Sequence, residues 1–253
     1  MNIKLAEEIS GRESVHESPR LKNAKRQSGI YFQRGVTVSQ KIISGLRKEV
    51  LEIFIRFNIL RIAIRRLKNP VRIVRTLNSL DRMRREISGE SRIKKVATVN
   101  GKYYWDLYIP GYPSKSFNNF IESEICRAGE LNMKANRFNN VIMAITSKCA
   151  LQCEHCYEWE SLNGKEKLSS ADLLSAVNIL QNEGTAQIQL SGGEPLMRLN
   201  DLLEILRASK KETEFWIFTS GHNLTLENAR KLKQAGLTGV VVSLDHFDST
   251  IHN

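Results

Sequence analysis

From about Ser39 to Leu67 apolar residues return at intervals of four and three. Leu46, Val50, Ile53, Phe57, Leu60, Ile64 and Leu67 fall on one line, the spacing of one face of an α-helix. Ile43, Phe54 and Ile62 widen that face, and Arg47, Lys48, Arg56, Arg61, Arg65, Arg66 and Lys68 occupy the other side. Asn69-Pro70 ends the helix, because proline disfavours helical geometry in the residue before it. A second basic amphipathic helix is predicted over Val71–Ile87. Arg92–Val99 and Lys102–Ile109 are β-prone runs joined by Asn100-Gly101, a strong hairpin signal. Helical spacing resumes over Ser116–Gly129 through Phe117, Phe120, Ile121 and Ile125.

Beyond Asn140 the rhythm alternates. Short apolar runs at Val141–Ile145, Gln187–Leu190, Thr213–Phe218 and Gly239–Leu244 are separated by helical stretches at Ser169–Asn182, Leu199–Lys210 and Thr225–Ala235. Strand, loop and helix repeated in this way predict an α/β fold, a parallel sheet with helices on its face. Chemistry in such sheets gathers at the carboxyl ends of the strands. The predicted division is residues 1–37 loosely ordered, 38–90 basic helices, 91–138 a small α+β hairpin subdomain, and 139–253 the parallel unit.

Charge changes the picture only at the amino-terminal end. Residues 1–100 carry 23 Lys+Arg against 9 Asp+Glu, whereas residues 101–253 carry 15 against 18. Three readings of the basic helices stay open: packing helices with solvated charges, a membrane-surface contact through residues 39–68, and nucleic-acid contact. No aromatic stacking residues or recognition motif accompany the charges, which argues against nucleic acid. No apolar run approaches the ~20 residues of a membrane span, and the first thirty residues lack the apolar core of a signal peptide. Four cysteines, three of them clustered, argue for a reducing compartment. The expected location is cytoplasmic, with membrane association as the alternative that residues 39–68 allow.

The candidate chemistry lies at two strand ends. Cys149, Cys153 and Cys156 follow the first parallel strand in a C-x3-C-x2-C spacing, and closely spaced thiolates suit zinc or an iron-sulfur cluster. Structural zinc normally takes four protein ligands, whereas a [4Fe-4S] cluster on three cysteines keeps one iron open. A zinc site completed by His155 is the competing reading, although adjacent His155 and Cys156 chelate one ion awkwardly. Cys126, far from the group in sequence, reads as a buried structural thiol. The second strand runs into Ser191-Gly-Gly-Glu-Pro195, where two glycines permit close backbone approach and Glu194 is placed to accept a hydrogen bond from an ammonium group.

Together these motifs resemble the signature of the radical S-adenosylmethionine superfamily, nearest to its molybdenum-cofactor, haem-modifying and peptide-maturase members. The resemblance covers roughly residues 139–248 and implies a partial (βα) barrel. It implies that Cys149, Cys153 and Cys156 hold a [4Fe-4S] cluster and that S-adenosyl-L-methionine is bound beside it. His155 and Tyr157 match positions that approach the adenine; Gly192, Gly193 and Glu194 match the segment that binds the methionyl ammonium; Ser220 and Ser243 match polar contacts to the cofactor, and Asp245 faces cofactor or substrate. The implied activity is reductive cleavage of S-adenosylmethionine to a 5′-deoxyadenosyl radical that takes hydrogen from a peptide or cofactor-precursor substrate, with an external one-electron reductant. The chain stops just past the fourth strand, where the superfamily commonly has six βα units, so a truncated chain or fragment is expected. The alternative is a non-catalytic iron-sulfur or zinc domain tethered through a basic amphipathic helix.

Overall fold

A computed structural model describes residues 41–88, 95–129 and 138–244. The expectations for residues 1–37 and for Asp245 lie outside them. The order is β1 (Lys41–Ile43), α1 (Leu46–Leu67), α2 (Pro70–Ser88), β2 (Val96–Val99), β3 (Lys102–Tyr104), α3 (Lys115–Ala128), β4 (Asn140–Thr146), α4 (Ser170–Asn182), β5 (Gln187–Gly192), α5 (Leu199–Ala208), β6 (Glu214–Thr219), α6 (Leu226–Ala235) and β7 (Gly239–Val242).

The basic helices form with one correction. The helix does not begin near Ser39: Lys41–Ile43 form an antiparallel edge on β2, and Gly45 at φ +60° separates that strand from α1. Lys68 then closes α1 in the left-handed conformation, and Pro70 opens α2, where its missing N–H costs nothing. α1 packs its Leu51, Asn58, Ile62, Ala63 and Leu67 inward. Ile62, Ala63 and Leu67 share a cluster with Ile125 of α3, flanked by Ile73, Leu77 and Leu80 of α2. The predicted apolar line therefore does not form the packed side: of its seven residues only Leu67 is buried.

Asn100 and Gly101 both have positive φ and turn β2 into β3, as an Asn-Gly hairpin requires. β1, β2 and β3 make one antiparallel sheet. Ser114 caps α3 by accepting from the Phe117 amide at 2.9 Å. Cys126 on α3 is half-buried rather than buried, because its neighbour Ile125 takes the core position.

The parallel sheet runs β4-β5-β6-β7, and every pair is parallel and in sequence order, as short right-handed crossovers dictate. Alternation along the strands gives the sheet two different faces. Ile145, Ile188, Leu190, Phe215 and Ile217 pack with Leu173, Val177, Leu202, Ile205 and Leu232 of the helices. The other face carries Gln187, Gln189 and Trp216, with Gln187 opposite Glu214 and Gln189 opposite Trp216.

The hairpin covers the amino end of that second face. Gln187 donates to the Leu107 carbonyl at 3.1 Å, Tyr104 meets Trp216 edge to face at 6.2 Å, and buried Glu214 accepts from Lys102 Nζ at 2.9 Å and the Gly111 amide at 3.2 Å. Burial and the facing Glu214 carboxylate push the Tyr104 phenol well above its ordinary value of 10.0. The folded state thus holds the phenolic proton where the unfolded chain releases it. Stability from this group is complete below pH about 10 and is lost as pH rises from there towards the folded-state value. Urea titrations across that window are expected to show a falling midpoint for the native chain and a flatter profile for Tyr104→Phe.

Candidate functional site

With the amino end occupied, the carboxyl end of the sheet is where the two sequence motifs meet. β4 ends at Thr146, and Cys149, Cys153 and Cys156 lie on the turn-rich stretch that follows. Asn163 closes this stretch. Its side chain accepts from the Cys149 amide at 3.1 Å and donates to the Cys149 carbonyl at 3.1 Å, while its own amide donates to the Ser147 carbonyl at 2.8 Å. At φ +59° it adopts the left-handed conformation, which asparagine tolerates better than most residues. Arg198 braces the strand end from below, donating to the carbonyls of Ile145 at 2.8 Å and Leu168 at 3.0 Å.

Asn163 is a positioning residue that the sequence reading missed. Its only local signal is an Asn-Gly pair, Asn163-Gly164, seven residues past Cys156. Asn163→Ala removes both side-chain bonds to Cys149 and leaves alanine, which tolerates the left-handed conformation less well than asparagine, at φ +59°. The expected cost is about 1–2 kcal/mol, with faster hydrogen exchange at Cys149. Asn163→Gly keeps the backbone conformation and loses only the clasp, so it should speed exchange at the same amide with a smaller loss of stability.

β5 extends to Gly192, which pairs with Thr146. The Gly193 amide donates to the Thr146 carbonyl at 2.8 Å and the Glu194 amide to the Lys148 carbonyl at 2.7 Å. A β-carbon on Gly192 would stand 2.3 Å from the Thr146 carbonyl oxygen, and one on Gly193 would stand 2.3 Å from that of Lys148. Glycine is needed here because two backbones touch. The Gly-Gly-Glu segment is sewn onto the root of the cysteine loop.

Glu194 is 1% exposed. One carboxylate oxygen accepts from the Leu196 amide at 3.0 Å and the Thr219 hydroxyl at 2.6 Å; the other accepts from the Ser220 amide at 2.9 Å and the Ser220 hydroxyl at 2.7 Å. A carboxylate offers about four acceptor positions, and all four are engaged. The Glu194 side chain caps the short 3-10 turn Pro195–Arg198 and ties β5 to the end of β6. Ser220 likewise spends its hydroxyl proton on Glu194, and its oxygen accepts from the His222 amide at 3.3 Å.

The other predicted positions are peripheral in this arrangement. His155 is exposed, and Tyr157 is 78% exposed. β7 ends at Val242, two residues short of the expected end, and the Ser243 amide donates to the Thr219 carbonyl at 2.9 Å. Each clustered cysteine is half-buried. Among the described residues, no three His, Cys, Asp or Glu side chains converge at metal-ion distance. The donor set still fits a thiolate-held centre: three soft ligands on one loop, the first with its backbone clasped by Asn163 and the loop root stitched to Gly193.

Residues 143–253 match the family model described as "Radical SAM superfamily". The chain is 36% identical to GTP 3′,8-cyclase of Helicobacter pylori (strain ATCC 700392 / 26695) over 126 residues, 46% of this chain and 39% of that protein. It is 42% identical over 108 residues to the probable GTP 3′,8-cyclase of Methanococcus maripaludis, 42% of this chain and 36% of that protein. The alignments thus span about two-fifths of these curated relatives. A crystal structure of Streptococcus suis SuiB bound to S-adenosylmethionine aligns with a TM-score of 0.40 and 17% identity, over 57% of this chain and 34% of that one.

Proposed function

We propose, from the match of residues 143–253 to the radical SAM family model and the likeness to GTP 3′,8-cyclases, that the chain is the cofactor-binding part of a radical enzyme of the molybdenum-cofactor type. Its substrate is of the cofactor-precursor or peptide class. The observation that carries the reading is the pair of backbone bonds from Gly193 to Thr146 and from Glu194 to Lys148. They bring the cysteine loop and the Gly-Gly-Glu-Pro loop to one strand end, where a parallel sheet does its chemistry.

Cys149, Cys153 and Cys156 would hold a [4Fe-4S] cluster, with S-adenosylmethionine beside it. When bound, that pair supplies a 5′-deoxyadenosyl radical from one electron of an external reductant, and the radical takes hydrogen from substrate. The chain's own residues do the positioning. Asn163 fixes the backbone at Cys149, and the stitched glycines set the distance between the two loops. Glu194 holds Ser220 and Thr219 in place, so Ser220 contributes through its backbone more than its hydroxyl. His155 and Tyr157 lie on the cysteine loop as exposed residues, and theirs are the side chains that would approach an adenine. Gly192, Gly193 and Ser243 line the strand ends facing the same region. Three thiols that must stay reduced favour a cytoplasmic setting; among the described residues, no helix is long and apolar enough to cross a membrane.

The test is electron paramagnetic resonance on the anaerobically reconstituted, reduced chain, with and without S-adenosylmethionine, beside Cys153→Ala. A cluster signal that shifts with the cofactor and is lost in the variant supports the reading. Bound zinc and no cluster would overturn it in favour of a non-catalytic domain. GTP, on which the named relatives act, is the first substrate to add, with formation of 5′-deoxyadenosine as the readout.

A further inference from the structure

α1 is apolar on two opposite sides. Leu51, Ile62 and Ala63 are buried against the neighbouring helices, but Leu46, Val50, Ile53, Phe57, Leu60 and Ile64 lie along the side facing away, each exposed, from 38% at Leu60 to 76% at Leu46. Phe54, 60% exposed, stands beside them. At 1.5 Å per residue the line runs for about 27 Å. An apolar patch of this length on a protein surface marks an interaction site.

The edges of the line say what covers it. At 100° per residue, Arg47, Arg61 and Arg65 flank it on one side and Glu49 and Arg56 on the other, all exposed. Together α1 and α2 carry eleven Lys and Arg against four Asp and Glu. We infer that this side of α1 lies on an anionic lipid surface, its apolar line in the acyl boundary and its arginines at the headgroups. Among the described residues, no helix is long and apolar enough to span a bilayer, so the helix rests in the interface plane.

Charge disfavours the other occupants. A second copy packed in parallel along the same seam would set Arg56 opposite the partner's Arg61, and antiparallel packing would align the Arg47–Arg61 edge with itself. Residues 1–40 carry seven Lys and Arg against four Asp and Glu, a net positive charge that does not complement the arginines of α1.

The experiment is co-sedimentation of the full chain with vesicles of phosphatidylcholine alone or mixed with phosphatidylglycerol, over a salt series. Binding is expected to the mixed vesicles, weakening as salt rises and by roughly fivefold for each arginine replaced in Arg47→Glu and Arg65→Glu. Ile53→Asn with Phe57→Asn should abolish it; both side chains are exposed, and unchanged far-ultraviolet circular dichroism will show that the fold persists. Failure to sediment with phosphatidylglycerol vesicles at low salt would overturn the inference. So would equal binding of the arginine variants, or a vesicle-free dimer that the Ile53 and Phe57 replacements dissolve.

Discussion

Gly193→Ala is expected to lower stability by on the order of 3 kcal/mol, a fall of roughly 6–12 °C in melting temperature for a chain of this size. It should also prevent the cysteine loop from loading iron. The added β-carbon would sit 2.3 Å from the Lys148 carbonyl oxygen, 2.8 Å from its carbonyl carbon and 3.1 Å from that of Ser147. All three are backbone atoms, so no side chain can rotate aside. Relief requires the two loops to part by about 1 Å, since non-bonded carbons settle near 3.5–4 Å. That movement breaks the bond from Gly193 to Thr146 and the bond from Glu194 to Lys148. Gly164→Ala is the control: its nearest contact is the Ser161 carbonyl oxygen at 3.2 Å and its φ is not positive. It should cost under about 1 kcal/mol and leave iron and sulfide per chain unchanged. Equal loss in both variants would remove the claim that the stitch between the loops matters.

Glu194→Ala should cost about 3 kcal/mol or more, because four donors that now meet a carboxylate would be left in a closed space. Hydrogen bonds to charged groups contribute about 1.5–3 kcal/mol, and stranded buried donors cost extra. Glu194→Gln keeps the shape but turns an amide nitrogen towards two of the donors, so it should lose most of the same stability. Amide exchange at Leu196 and Ser220 is the specific readout, since both N–H groups donate to Glu194. A glutamate with no internal role would leave those amides protected and the melting temperature of the ligand-free chain unchanged; that result would favour a role for Glu194 in accepting from a ligand ammonium.

The alternation of strands and helices after Asn140 was legible because it rests on local periodicity and on caps a few residues long. Ser169 with Asp172, for example, forms a reciprocal capping box at the start of α4. The cysteine spacing and the paired glycines were legible for the same reason: short reach along the chain carries their meaning. The hairpin turn at Asn100-Gly101 belongs with them, since positive φ at both residues is a property of that dipeptide.

What the tertiary structure alone decided are the relations between distant segments. β1 exists because Lys41–Ile43 find a ladder on Val96–Thr98, and no pattern in three residues announces such a partner. Asn163 matters because the loop folds back 14 residues to Cys149, and Glu194 has an internal role because Ser220, 26 residues on, arrives at the same strand end. The outward side of α1 is the plainest case. Its sequence holds two apolar faces, and burying Ile62 and Ala63 against α2 and α3 left the longer line of Leu46 to Ile64 to the surface. Periodicity specifies that a helix has an apolar face; only packing selects which face is covered, because the partner's shape is encoded elsewhere in the chain.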